Sequence, residues 1–415
     1  MFKRPIINTM AQVAGKTITV LISLVTTGIL TRKLGVEVYG SFTLVTSVFL
    51  LLDSLADFGI KIIGVRETST EKSENKKELF EQLIWLRLMI TGVAFVLGIT
   101  LIFLWSGFAP IRGEALVALS MIWFTSLAGS MEIIFQSKLK MELKVFMDVA
   151  FPLFFLIVLW FWPGLINLLW VFSTYLFARV LSLMIGSKFL GNIGFNLKIK
   201  KINWIIIKRL LKETWPMGVY LIVFAGYDRA VDSMLIQRYV GIAAVAWYGL
   251  AYKIYSSLVQ PAYFFVNSIF PLLSADHQES EKEFGLEWKK RLFKTSALLL
   301  VGSVFLVIPV IYFMAPWIIQ VLAGNQYAAS AGVLRILLIA LFFSYIEHLI
   351  GFTLISRGGQ KEILWFGLIA LVFNLGGNLW AIPRFGIYGA AWVTVLTEAL
   401  ACSLMSFKLW QTIKR

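Results

Sequence analysis

The sequence predicts an all-α membrane protein of about twelve transmembrane helices. Of its 415 residues, 59% are hydrophobic and only 15% are charged, whereas soluble proteins carry about 25% charged residues. Apolar blocks of roughly 20 residues, the length that a helix needs to cross a bilayer, recur along the whole chain. The blocks lack the period-two alternation of strands, so helices are expected to satisfy the backbone in lipid.

The predicted spans follow one another with short polar turns between them. No connecting segment is long enough to hold a separate catalytic domain. The single cysteine, Cys402, lies in the last apolar block, which excludes an intramolecular disulfide and argues against redox chemistry. In chain order the predicted spans cover residues 8–31, 39–61, 82–106, 115–137, 145–163, 165–188, 215–237, 243–273, 292–314, 331–356, 362–383 and 386–408.

The basic residues predict the orientation of the spans. The formal net charge of +15 does not indicate nucleic-acid binding, because lysine and arginine fall in alternate loops and not on one soluble face. Cytoplasmic loops carry the excess of these residues, so we expect both termini in the cytoplasm. The outer loops then hold only Arg32, Lys33, Arg112, Arg238 and Arg384.

A basic segment at the centre of the chain divides the spans into two halves. Residues 189–214 are predicted either as an amphipathic helix on the inner leaflet or as a plain linker. The sequence thus predicts six-helix bundles over 1–188 and 215–415. Because six is even, both halves have the same orientation, which predicts a pseudo-two-fold axis along the membrane normal and a cavity between the halves.

One junction is repeated in the two halves. Between spans one and two, Arg32 is followed three residues later by Gly35, and Tyr39-Gly40 opens the next helix. Between spans seven and eight, Arg238 and Gly241 have the same spacing, and Tyr248-Gly249 follows. This pattern favours an internal duplication, as in transporters.

Polar and basic residues within the spans predict a substrate cavity, because such groups are costly in lipid and turn toward a cavity or a partner. Span one and span eight each carry a polar stripe along one helix face. Cations at depth suit an anionic head group such as a phosphate or diphosphate. The predicted substrate-binding residues are Lys16, Arg179, Arg229, Lys253, Asn8, Gln12, Gln260 and Asn267.

Acidic residues at depth, and one histidine, are candidates for ion coupling. The run Asp228, Arg229 and Asp232 is either an internal salt bridge or a site that an ion or an anionic substrate perturbs. Glu347 and His348 could form a proton relay, but nothing has metal-ligand spacing. The predicted ion-coupling residues are Asp53, Asp228, Asp232, Glu347 and His348.

Other charged residues lie near the predicted span ends. Asp57 and Lys61 are one turn apart and are interpreted as a solvated pair at the inner interface. Arg87, Glu132, Asp148 and Arg335 are interpreted as residues whose charges reach the interface.

The motifs resemble those of a known family. They are Asn8 with Gly15-Lys16, the run from Leu30 to Phe42, Asp57-Phe58-Gly59, Val65-Arg66-Glu67, and in the second half Asp232, Gly241, Tyr248-Gly249 and Leu322-Ala323-Gly324-Asn325-Gln326-Tyr327. The chain resembles the polysaccharide-transport (O-antigen and repeat-unit flippase) branch of the multidrug/oligosaccharidyl-lipid/polysaccharide exporter superfamily. Leu322-Ala323-Gly324 departs from the pattern in having alanine where an aromatic residue is common.

The resemblance implies a flippase that moves a polyprenyl-diphosphate-linked oligosaccharide, such as an O-antigen, capsule or exopolysaccharide unit, by alternating access. It implies no cofactor, possible coupling to H⁺ or Na⁺, and a bacterial or archaeal cytoplasmic (inner) membrane. The expected partners are the lipid-linked glycan, the bilayer and other glycan-assembly membrane proteins. The alternatives are an H⁺- or Na⁺-coupled drug or metabolite exporter of the same superfamily and, from another class, a membrane glycan polymerase or ligase.

Overall fold

The computed structural model describes residues 3–70, 76–138, 140–192, 201–226, 230–274 and 282–414. Within these ranges the chain is helical and contains no strand. Short 3₁₀ segments lie at Ser106–Ile111 and Asn325–Tyr327. The helices are α1 (Lys3–Asp57), α2 (Ile60–Thr70), α3 (Lys76–Leu104), α4 (Arg112–Ser137), α5 (Met141–Phe161), α6 (Leu168–Asn192), α7 (Trp204–Ala225), α8 (Val231–Tyr239), α9 (Ile242–Ser274), α10 (Lys282–Ala323), α11 (Ala329–Ser356) and α12 (Gln360–Lys414).

The all-helical membrane fold predicted from the sequence is confirmed. In the part of the chain that the structure describes, 7 helices are long and apolar enough to cross a membrane. The total of about twelve spans stays a prediction. The seven are Lys76–Leu104, Ser106–Ser137, Glu142–Phe161, Leu168–Gly191, Arg291–Ala323, Ala329–Ser356 and Gln360–Thr412.

Two long helices are each kinked at a glycine. The backbone of α1 leaves helical geometry at Gly35 (φ 74°), and that of α12 leaves it at Gly386 (φ 57°). Glycine tolerates positive φ because it has no Cβ. The kinks fall at the junctions between predicted spans one and two and between spans eleven and twelve. The sequence pattern therefore located both junctions.

The repeated junction has a common backbone feature. Gly35 and Gly241 both adopt positive φ, at 74° and 120°. Tyr39 and Tyr248, which lie in the helical segments that follow, are both buried. The two junctions thus share a glycine at positive φ as well as a sequence pattern.

The chain forms two compact units, Met1–Ala230 and Val231–Arg415. In the first, α1 packs against α3, α4 and α5, α4 packs against α6, and α7 lies against α1 and α3. In the second, α11 packs against α9, α10 and α12, and α8 lies against α9 and α12. The bundle boundaries at 188 and 215 stay a prediction.

The described helices differ from the predicted spans around α7. The sequence ends a basic segment at 214 and begins a span at 215, whereas α7 runs unbroken from Trp204 to Ala225. The buried residues Ile207, Leu210, Thr214 and Gly218 form one helical stripe across the predicted boundary. Helix α7 packs against α1 and α3. The basic residues before 215 therefore do not mark the start of a separate helix.

Candidate functional site

The first unit contains a layer of charged side chains drawn from α1 to α6. We call these residues the charged layer because each interacts electrostatically with several of the others. Five are cations and four are acids, so the layer carries a slight excess of positive charge when all are ionised. The charged layer consists of Lys16, Asp53, Asp57, Lys61, Arg87, Glu132, Lys144, Asp148 and Arg179.

A buried ion pair between Arg87 and Asp57 anchors this layer. The Arg87 Nη2 donates to Asp57 Oδ1, and Arg87 is only 4% exposed. The guanidinium lies flat on α4 at Gly129, where an added Cβ would meet its nitrogens at 2.7 Å. Arg87 Nε and Nη1 have no hydrogen-bond acceptor among the described residues. The layer therefore includes a buried guanidinium with unused donors.

The interpretation of Asp57 and Lys61 as a solvated pair is wrong. Lys61 Nζ binds Glu132 Oε2 at 2.8 Å, while Asp57 binds Arg87. The helix is interrupted between them at Phe58 (φ 42°) and Gly59 (φ 75°), so the two residues do not lie on one helix face. Arg87 and Glu132 are therefore not interface residues: within the bundle, Arg87 pairs with Asp57 and Glu132 pairs with Lys61.

Lys16 lies beside a second pair, Lys144 and Asp148. Lys144 Nζ is 3.4 Å from Asp148 Oδ2, and Lys16 interacts electrostatically with both residues. Helices α1 and α5 approach closely because residue 15 is glycine; an added Cβ there would lie 2.4 Å from Val145 Cγ1. The side chain of Lys16 is exposed, so its charge is accessible to a ligand.

Arg179 and Asp53 complete the layer. The Arg179 guanidinium stacks over the ring of Phe151 at 4.3 Å from the centroid, which fixes its orientation. It interacts electrostatically with Asp53, Glu132 and Asp148. The structure thus brings the predicted residues Lys16, Asp53 and Arg179 into one charged layer.

The second unit contains a buried oxygen-rich cluster around Asp232, which is fully buried. Tyr248 Oη donates to Asp232 Oδ2, and Asn378 Nδ2 donates to Asp232 Oδ1 at 2.7 Å. Asn378 Nδ2 also reaches Asn374 Oδ1 at 3.1 Å, and the hydroxyls of Tyr248 and Thr394 are 3.1 Å apart. We call these five residues the Asp232 cluster.

One oxygen of the Asp232 cluster lacks a hydrogen-bond donor among the described residues. Asn378 Oδ1 is buried and accepts no hydrogen bond within the described ranges. A buried acceptor without a donor is costly, and carboxylate, amide and hydroxyl oxygens are the ligands of hard cations. The cluster can therefore supply oxygen ligands to a small cation. Among the described residues no group of three or more His, Cys, Asp or Glu could hold a metal ion.

Glu347 and His348 have different partners. The Glu347 carboxyl interacts electrostatically with that of Glu398 on α12, and Glu398 Oε2 accepts from Ser344 Oγ at 2.7 Å. His348 Nδ1 instead lies 2.7 Å from the Ser344 carbonyl. The acid partner of Glu347 is therefore Glu398, a residue that the sequence did not single out.

Comparison with protein families decides the classification. A model described as polysaccharide biosynthesis protein matches residues 6–277. The chain belongs to this family. The resemblance inferred from its motifs is confirmed.

Solved structures share the fold of this chain. An inward-facing multidrug resistance MATE family transporter of the MOP superfamily is 14% identical with a TM-score of 0.77, covering 95% of this chain and 94% of its own. The lipid II flippase MurJ in an inward closed conformation is 14% identical with a TM-score of 0.76, covering 97% of this chain and 87% of its own. The fold is thus that of flippase-like transporters.

A curated relative is an uncharacterized membrane protein of Methanocaldococcus jannaschii. It is 27% identical over 224 residues, which is 51% of this chain and 41% of the relative. The match therefore spans less than half of that relative. It agrees with the multi-pass membrane character of the helices.

The other predicted site residues of this family member are more scattered. Lys253 and Gln260 are half-buried on α9, and Asn267 is exposed there. Asn8 and Gln12 belong to α1, but their side chains lie outside what the structure describes, as do residues Asp228 and Arg229 entirely. Their roles stay predictions.

Proposed function

We propose that the protein is a flippase that moves a polyprenyl-diphosphate-linked oligosaccharide from the inner to the outer leaflet by alternating access. The observation that carries the proposal is the charged layer of the first unit. Membership in the polysaccharide biosynthesis protein family supports it, as does the structural likeness to a protein described as a lipid II flippase.

The chemistry of the charged layer favours an anionic ligand. Asp57, Glu132 and Asp148 already bind the cations Arg87, Lys61 and Lys144. Lys16 is exposed, and Arg87 retains unused N–H donors. A diphosphate offers acceptor oxygens to both groups, since guanidinium binds phosphate in a fork and ammonium binds it as a point charge.

We propose further that transport is coupled to a cation bound at the Asp232 cluster. The unsatisfied Asn378 Oδ1 and the buried carboxylate of Asp232 suit Na⁺, which membrane transporters bind through oxygen atoms. Coupling to H⁺ is the alternative, and the Glu347–Glu398 pair is its candidate site. We expect no further cofactor.

The nearest alternative is a drug or metabolite exporter of the same superfamily. A multidrug transporter shares the fold, but an organic cation as substrate requires an acidic site. The charged layer has more cations than acids, which favours an anionic substrate. A glycan polymerase or ligase is less compatible with the family and the fold, which are those of transporters.

We also propose the cellular setting of the transporter. The distribution of basic loops supports both termini in the cytoplasm and a bacterial or archaeal cytoplasmic membrane. Other glycan-assembly membrane proteins are its proposed neighbours.

Deletion and complementation of the gene in its host test the substrate class. We expect the deletion to abolish surface glycan and the wild-type chain to restore it, whereas Lys16→Ala or Arg179→Ala should restore it poorly at equal membrane abundance. The exposed residue Lys361 supplies a matched control, Lys361→Ala. A deletion that leaves surface glycan intact but raises drug sensitivity would favour the exporter.

A further inference from the structure

The start of α7 is held rigidly against α3. Gln82 Nε2 donates to the Lys201 carbonyl at 3.2 Å, and Gln82 Oε1 accepts from the Asn203 backbone N–H at 2.8 Å. Asn203 Nδ2 donates to Glu78 at 3.3 Å, while its Oδ1 caps the helix by accepting from Ile205 N and Ile206 N. The side chains that follow are therefore presented in a fixed direction.

The helix turns one face to the bundle and the other away from it. Ile207, Leu210, Thr214 and Gly218 are buried. Residues at i, i+4, i+7, i+8 and i+11 from Trp204 share one exposed side next to this buried stripe, at about 3.6 residues per turn. We call them the outer face of α7; they are Trp204, Lys208, Leu211, Lys212 and Trp215, all exposed.

The composition of this face matches a lipid headgroup region. Trp204 and Trp215 are 58% and 50% exposed, and tryptophan concentrates where the bilayer meets water. Lys208 and Lys212 lie between them and form no ion pair among the described residues, whereas Arg209, on another side, is 4.0 Å from Glu67. The apolar part of α7 begins at Trp215. The two lysines therefore precede the apolar part of the helix.

A groove adjoins this face. Its volume is about 650 Å³, and its walls include Glu78, Gln82, Lys201, Asn203 and Trp204. Lys201 is exposed and adds a third cation, whereas Glu78 is engaged by Asn203. Exposed apolar side chains beside unpaired cations complement a ligand with acyl chains and an anionic head.

We propose that the outer face of α7 binds an anionic phospholipid. The phosphate contacts Lys208 and Lys212, with Lys201 at the groove, and the acyl chains lie along Leu211 and Trp215. This site is separate from the charged layer and does not depend on what the protein transports.

Lipid titration of the purified full-length chain tests the proposal. Dioleoyl-phosphatidylglycerol and dioleoyl-phosphatidylcholine are added in detergent, and bound lipid is counted by native mass spectrometry. We expect phosphatidylglycerol to bind preferentially. Lys208→Gln/Lys212→Gln should weaken its binding about thirtyfold, since each basic residue near an anionic surface contributes about a factor of five.

The control removes two exposed cations elsewhere, Arg357→Gln/Lys361→Gln, and should leave binding unchanged. Equal binding of the two lipids, or equal loss in both double variants, would overturn the proposal. If the α7 variant fails to purify, brominated lipids supply a second measurement. The fluorescence difference between the wild type and Trp204→Phe should be quenched more by brominated phosphatidylglycerol than by brominated phosphatidylcholine, and equal quenching would overturn the proposal.

Discussion

Arg87 combines a buried ion pair with hydrogen-bond donors that the proposed ligand would use. Its Nη2 neutralises Asp57, its plane rests on Gly129, and two of its nitrogens have no acceptor among the described residues. Burying a guanidinium with unused donors is costly. An anionic ligand that accepts from those donors would recover part of this cost, which is why the residue belongs to the proposed site.

We expect Arg87→Leu to destabilise the protein by about 3–5 kcal/mol, because it leaves the Asp57 carboxylate without its partner in the bundle. Thermal unfolding of the purified protein measures the change. Arg87→Leu/Asp57→Asn should recover much of the loss, since the unpaired charge is then gone. A double variant as unstable as the single one would contradict the ion-pair account.

The proposed cation site at the Asp232 cluster leads to a prediction about the coupling of transport to Na⁺. Asn378→Leu removes the unsatisfied oxygen and should abolish the dependence of transport on a Na⁺ gradient in proteoliposomes, with gradient-independent transport retained. Gln320→Leu, at an exposed position on α10, is the control and should keep the dependence. Persistence of the Na⁺ effect in Asn378→Leu would exclude this cluster as the coupling site.

The sequence indicated some of these residues and missed others for a physical reason. Lys16, Asp53 and Arg179 stood out because they interrupt apolar blocks. Lys144 and Glu132 did not, because hydropathy places them near span ends, and their membership in the layer depends on which helices pack together. Asn374 and Asn378 are one turn apart on α12 and could have been recognised as a polar stripe.

At the scale of elements, the break between α1 and α2 is fixed by close packing on α7. Gly59 has φ 75°, and an added Cβ would lie 2.8 Å from Met217 Cβ. The reciprocal contact is as tight, since a Cβ at Gly218 would lie 2.5 Å from the Phe58 ring. The Arg66–Glu213 ion pair, at 2.5 Å, joins α2 to α7.

We expect Gly59→Ala to destabilise the protein by about 1–3 kcal/mol, from backbone strain at positive φ together with the clash on Met217. Gly113→Ala on α4 is a matched control, because nothing lies within 4 Å of its added Cβ. The midpoints of thermal unfolding compare the two. Equal midpoints would show that the break is not held against α7.

Helix existence followed from hydropathy, whereas helix ends required packing information. The kinks at Gly35 and Gly386 fell where polar turns separate apolar blocks. An amphipathic helix within 189–214 was one of the two predictions, but its cations suggested a segment separate from span seven. The continuity of α7 across residue 215 was missed, because its buried stripe is defined only by packing within the first unit.

At the scale of the whole molecule, the repeated junction is the feature most open to sequence reasoning. The Arg-to-Gly spacing predicted equivalent positions, and Gly35 and Gly241 share positive φ. The distribution of lysine and arginine among the loops likewise predicts the orientation of the chain in the membrane. Helix packing does not determine this orientation.

We expect both termini to face the cytoplasm. Tags fused at the N-terminus and the C-terminus should resist protease in intact spheroplasts and be cleaved after lysis. A tag in the segment around Arg112 is the opposite control and should be cleaved without lysis. Cleavage of either terminal tag in intact spheroplasts would contradict the predicted orientation.

The central claim is tested most directly by translocation in proteoliposomes of purified protein and a polyprenyl-diphosphate-linked oligosaccharide. The wild type should move the glycolipid between leaflets faster than empty liposomes. Lys16→Gln should slow this movement about tenfold, which corresponds to a loss of roughly 1.4 kcal/mol of binding free energy. The control Lys361→Gln should leave the rate unchanged. A wild-type rate equal to that of empty liposomes, with efflux of an organic cation in its place, would contradict the account.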